Sequence, residues 1–222
     1  MSLVIFDLDG TLVDSRRDIA ASVNHMLGVY NVPLLPLEVI ERYVGSGAEN
    51  LVRRSMGEAA ARFDIAEAVR AFRAHYLDHC LDTTRAFPGI PGLLSALKDR
   101  GVSLAVVTNK PTAMMHRILG GLDLARFFDV VLGGDDVAAM KPDAGPARQV
   151  LSRTGTKPEQ ALMVGDSAVD VAFARSAGMK CVVVGYGGIS EAEEVANAGA
   201  DFICETPEKL RGCLDHMVNE PV

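Results

Sequence analysis

Tryptophan is absent from this 222-residue chain, aromatic residues make up only 5%, and Lys plus Arg number 22 against 29 Asp plus Glu, a formal net charge of -7. A nucleic-acid binder needs a phosphate-neutralising patch and a stacking platform, so these deficits exclude that class. No apolar run approaches the ~18 residues of a membrane span, and the N-terminus lacks a basic segment followed by an apolar stretch and a cleavage site. The expectation is a globular, cytoplasmic protein with no nucleic-acid or membrane partner; oligomeric state, monomer or homodimer, stays open. Cys80, Cys181, Cys204 and Cys213 form no CxxC pair and no short disulfide framework, so they read as reduced, buried thiols. Lysine is missing from a long segment. Between Ser15 and Phe87 there are nine arginines, nine acids and no lysine, which leaves the remainder with 13 basic and 20 acidic residues. An acidic remainder that handled anions would need a cation.

What is present is an alternation. The composition, 49% hydrophobic and 23% charged, suits one α/β domain carrying a smaller insertion. The apolar Leu3 to Phe6 reads as a strand. Ser15, with Asp18 three residues on, reads as a helix-capping signal, and Ile19, Val23, Met26, Leu27 and Tyr30 recur at helical spacing. A short helix near 37–43, the loop Val44 to Ala48, a helix near 49–56 and a longer one over about 64–81 complete a helical module. The last of these has Ile65, Val69, Phe72, Tyr76 and Cys80 on one stripe. From Phe87 helices alternate with short apolar strands, among them Val102 to Val107 and the runs ALMVGD and CVVVG, as in a parallel sheet covered on both faces. The predicted architecture is a doubly wound, Rossmann-like α/β core, residues 1–14 and 88–222, with a helical cap, residues 15–87, inserted after the first strand.

In such sheets ligands sit beyond the carboxyl ends of the strands. Four strands here end in polar residues: Asp7 and Asp9, Thr108 and Asn109, Lys141 in the loop after the run DVVLGG, and Asp166. Three acids, a hydroxyl and a lysine suit phosphoryl transfer, where positioning and charge neutralisation dominate. Asp7 would attack phosphorus. Because its charge repels a phosphate dianion, a hard divalent cation must bind both, and oxygen ligands favour Mg2+, held by Asp7, Asp166 and a backbone carbonyl near Asp9. Asp9 would protonate the leaving oxygen and then act as base for water. Gly10 permits the turn and Thr11 offers a donor. Thr108 would hold a phosphoryl oxygen, and Lys141 would neutralise nucleophile and phosphate. Asp170 could orient Lys141 or the waters of the cation. Read singly, each has a blander use: Thr108 or Ser167 as a helix cap, Lys141 as a solvated lysine. Asp14 and Ser15 are explained by capping, and His75 and His79, with no third ligand evident, by an ordinary helix face.

Asp7-Leu8-Asp9-Gly10-Thr11, Thr108-Asn109, Lys141-Pro142 and Gly165-Asp166-Ser167 with Asp170 resemble, in order, the four motifs of the haloacid-dehalogenase-like phosphatases. The resemblance covers nearly the whole chain and implies Mg2+-dependent hydrolysis through an aspartyl-phosphate, with cap closure excluding water between hinges near 14–17 and 83–88. One departure is Ala144, where the third motif usually has a second proline. Asp9 argues against a dehalogenase. The lack of any lysine before Lys98 argues against a Schiff-base phosphonatase and against a β-phosphoglucomutase-type mutase. The cap segment Tyr43-Val44-Gly45-Ser46-Gly47-Ala48, with Leu51, Val52 and Arg54, looks like that of phosphoglycolate phosphatases. Gly45, Ser46 and Gly47 would approach the substrate, and Arg54 would pair with a carboxylate, unless it is a solvated arginine behind a flexible turn. A small phosphorylated acid, 2-phosphoglycolate first, is therefore the expected substrate. Sugar phosphates, nucleotides and pyrophosphate remain alternatives, as does a receiver-like phosphoacceptor switch, since fold alone does not separate it.

Overall fold

A computed structural model describes residues 1–188 and 198–219. Six parallel strands form one sheet in the order β5-β4-β1-β6-β7-β8: β1 (Leu3–Phe6), β4 (Ser103–Val107), β5 (Val130–Leu132), β6 (Ala161–Gly165), β7 (Lys180–Val184) and β8 (Phe202–Cys204). The central register pairs Phe6 with Val106 on one side and with Val164 on the other. Strand side chains alternate between faces, so each apolar run feeds two cores. Leu3 and Ile5 pack with Val150 and Phe173 under α7 (Gly145–Thr154) and α8 (Ala168–Ser176). Val4 and Phe6 join Leu94, Ile118 and Leu214 under α5 (Ile90–Asp99), α6 (Thr112–Gly121) and α9 (Pro207–Asn219). Full burial of one such side chain contributes about 1.5–3 kcal/mol, which is why runs apolar on every residue fold as inner strands.

The helical insertion follows the first strand as expected. Helices α1 (Arg16–Val29), α2 (Leu37–Glu41), α3 (Ala48–Met56) and α4 (Ile65–His79) lie between β2 (Val13–Asp14) and β3 (Arg85–Ala86). α1 and α4 pack together, and Val23, Met26, Val52 and Phe72 extend the core beneath them. The two-residue strands β2 and β3 pair antiparallel, Val13 with Ala86 and Asp14 with Arg85, so the insertion begins and ends side by side.

The capping reading of Ser15 and Asp18 is corrected here. Ser15 stands at the N-terminus of α1 without a side-chain cap bond; its hydroxyl donates instead to Asp9 Oδ1 at 2.5 Å. Asp18 accepts from the backbone amides and hydroxyls of both Thr83 and Thr84 at 2.5–3.0 Å. A buried carboxylate offered amide and hydroxyl donors across the fold satisfies more of its lone pairs there than one local turn allows. Burial raises the Asp18 pKa, but these bonds outweigh it and hold the carboxyl below its ordinary value.

Candidate active site

β1 lies between β4 and β6, where the chain changes winding direction, and the side chains past these strand ends converge. Lys141 Nζ, almost fully buried, donates to Asp7 Oδ1 at 2.7 Å and to Asp170 Oδ1 at 2.6 Å. The loop bearing Lys141 is fixed by Asn109. The Lys141 amide donates to Asn109 Oδ1 at 2.9 Å, and Asn109 Nδ2 donates to the carbonyls of Lys141 and Gly45, both at 3.0 Å. Ala144 in place of the usual proline leaves Lys141 against Asp7.

Asp170 is committed to its neighbours. Its Oδ2 accepts from the amides of Asp166 and Ser167 and from Ser167 Oγ, a reciprocal capping arrangement at the start of α8. The capping use of Ser167 thus coexists with the site. Gly165 makes it possible, since a Cβ there would stand 2.3 Å from the Asp170 carboxyl carbon. Thr108 does not cap α6; its Oγ1 accepts from the Lys110 amide at 3.2 Å.

Asp166 is different, for its Oδ2 is buried with no hydrogen-bond partner, as is Thr11 Oγ1. Burial, reinforced by the charges of Asp170 and Asp7, pushes the Asp166 carboxyl well above its usual range. Burial likewise raises Asp7 to about 6, with Asp170 and Asp9 adding to the shift and Lys141 opposing it. At Lys141, burial works against the charge, but Asp170 and Asp7 outweigh it and hold the ammonium above its ordinary value. Ligand atoms of Asp7, Asp166 and Asp170 lie within 4.8 Å of one another. With Asp9, four buried carboxylates face two buried lysines, Lys110 and Lys141. That excess of two negative charges, with one orphaned carboxylate oxygen, fits a divalent cation with hard oxygen ligands.

Asp7, Asp9, Thr108, Asn109, Lys141 and Asp166 line one cavity, and the insertion supplies Gly45 and Gly47 to it. Ser46 and Arg54 do not line it. Arg54 is exposed, its guanidinium over the Tyr43 ring at 4.3 Å. The insertion side of the cavity is mainly apolar, through Ile19, Val44, Leu51 and Phe72. His75 and His79 stack, with ring centroids 4.3 Å apart, and hydrogen-bond to Ser22 and Asp82. Three site residues escaped the sequence reading. Lys110 Nζ donates to both Asp9 oxygens at 2.8 Å and to Tyr76 Oη at 2.6 Å, while Ser15 also holds Asp9. A lysine directly following Thr108-Asn109, at the same strand end, was the available signal for Lys110. Tyr76 sat on a stripe read as purely apolar.

The arrangement can place a carboxylate nucleophile, a proton-transfer carboxylate and the Lys141 ammonium around one site, with the Lys110 ammonium held behind the second carboxylate. Over nearly its whole length the chain is similar to known proteins. A protein named "Phosphoglycolate phosphatase, plasmid" from Cupriavidus necator is 40% identical over 213 residues, 95% of this chain and 92% of the relative. The phosphoglycolate phosphatase of Aquifex aeolicus is 33% identical, covering 99% of this chain and 100% of that one. A crystal structure described as a predicted phosphoglycolate phosphatase from Haemophilus somnus 129PT superposes with a TM-score of 0.86 at 31% identity, over 97% of both chains. The family model for haloacid dehalogenase-like hydrolases matches residues 4–184, and the chain belongs to that family.

Proposed function

We propose that this hydrolase is a cytoplasmic, Mg2+-dependent phosphatase that acts on a small phosphorylated acid, 2-phosphoglycolate first, through an aspartyl-phosphate on Asp7. The observation that carries the reading is the Asp7–Lys141 pair set beside the orphaned oxygen of Asp166. Asp7 and Asp166, with the backbone near Asp9, would hold the cation; Asp170 has its oxygens engaged and supports Lys141 instead. When bound, a divalent cation offsets the repulsion between nucleophile and phosphate.

Asp7 attacks phosphorus from its free oxygen while Lys141 grips the other, so the carboxylate enters aimed. The new Asp7–phosphorus bond forms as the ester oxygen leaves, taking a proton from Asp9. Water then attacks phosphorus, gives its proton to Asp9 and releases Asp7 and inorganic phosphate. Thr108 and Lys141 receive the charge on the phosphoryl oxygens. Residues 15–87 act as a cap that shuts out water, hinged near 14–17 and 83–88, where β2 and β3 meet. The names of the relatives support a small substrate.

Phosphate release from phosphoglycolate is the test, against sugar phosphates, nucleotides and pyrophosphate, by kcat/KM. Phosphoglycolate ranks first, and EDTA or Asp7→Asn abolishes turnover. Turnover surviving Asp7→Asn would refute the mechanism, and a higher kcat/KM on another ester would refute the substrate.

A further inference from the structure

We propose that Lys110 is a positioning residue for the Asp9 carboxylate, steadied from the insertion by Tyr76, and that it sets the rate of the second, water-consuming step. The inference rests on Asp9 being the proton-transfer group of the reaction proposed above.

An ammonium has three hydrogens, and Lys110 finds three acceptors: Asp9 Oδ1 and Oδ2 at 2.8 Å each, and Tyr76 Oη at 2.6 Å. The Lys110 side chain is 3% exposed and that of Asp9 11%. With Ser15 also donating to Oδ1, the Asp9 carboxylate cannot turn without breaking charge-assisted bonds at both oxygens. Lys141 cannot replace Lys110, because its ammonium is taken by Asp7 and Asp170. Tyr76 lies on α4 and Lys110 in the loop after β4, so their bond joins the insertion to the strand ends. The Tyr76 ring stacks on Phe72, with centroids 5.5 Å apart and planes 16° from parallel, which holds the hydroxyl in place. Displacing the insertion removes one of the three acceptors of the ammonium, the one that does not belong to Asp9. Lys110 does not take part in bond making; it aims the group that does.

Two steps need Asp9 when the leaving group is an alkoxide. With p-nitrophenyl phosphate the phenolate leaves without a proton, so only attack by water still depends on Asp9. Rapid mixing of Lys110→Met with p-nitrophenyl phosphate and Mg2+ therefore separates the steps. The expected result is a burst of phenolate near one per site at the wild-type rate, then a steady rate lowered at least about tenfold, a fraction of the roughly 10²–10⁴ that proton transfer contributes, because Lys110 only aims the group that transfers the proton. Phosphoglycolate turnover falls further, since both of its steps suffer. Tyr76→Phe keeps the ring and loses only the hydroxyl; it shows the same pattern at smaller amplitude, and it carries the test alone if Lys110→Met does not fold. A structural defect alone would slow burst and steady state together. That outcome, or a wild-type ratio of the two rates in the variant that folds, overturns the inference. Asp9→Asn serves as control. If it hydrolyses phosphoglycolate like wild type, the role of Asp9 itself fails; if it stalls after a burst while Lys110→Met does not, only the inference about Lys110 fails.

Discussion

Asp166 and Asp7 are carboxyls that bind a proton more tightly in the folded chain than in the unfolded one, because burial raises both. Such groups make stability fall as pH rises. For Asp7 the window runs from its ordinary value of 3.8 to about 6. Without metal, the melting temperature should therefore decline across that window, and Mg2+ should raise it more at neutral pH than at the window's acid end. At a hundredfold excess over Kd the gain is about 2.7 kcal/mol. Asp166→Asn removes the buried charge, so the metal-free protein should melt higher at neutral pH and lose the Mg2+ response; calorimetry with and without EDTA reads both. Arg54 bears on specificity. With its guanidinium over Tyr43 and outside the cavity, Arg54→Ala should leave kcat/KM for phosphoglycolate, relative to an uncharged phosphomonoester, within about twofold, the scale of surface changes. A selective loss on the acid would restore the carboxylate clamp.

Among the elements, the β2–β3 ribbon and the Asp18 tether decide how the insertion is joined to the sheet. Asp18→Ala would leave the donors of Thr83 and Thr84 without their acceptor, and should cost about 2–4 kcal/mol, read as a lower urea midpoint. An unchanged midpoint would mean that water replaces the tether. This junction was also where the sequence was least legible. The sheet strands could be read because apolar runs such as Val102 to Val107 end abruptly in polar residues. β2 and β3 have two residues each, too few to show a period. Ser15 and Asp18 fit a local capping pattern whose sequence spacing says nothing of a partner 65 residues away. Lys110 stood beside a motif, and Tyr76 hid its hydroxyl on an apolar stripe. The ordered motifs named Asp7, Lys141 and Asp170 because each ends a strand or follows one closely, whereas cap contacts such as those of Ser46 and Arg54 depend on loop and helix rotation.

At the scale of the whole molecule, the neutral insertion covers an acidic strand-end site that is short of positive charge by two, and the sheet order sets the Asp7, Thr108 and Asp166 strands side by side. That arrangement has a use if phosphorus is passed to Asp7 and then to water under the insertion. Acid quenching during turnover with Mg2+, followed by mass spectrometry of the peptide containing Asp7, tests this most directly. The account predicts a phosphoryl group on Asp7 that appears with substrate, is absent with EDTA and accumulates in Lys110→Met. Phosphate released at the full rate while Asp7 stays unmodified in both proteins, or while the label sits on another residue, would contradict it.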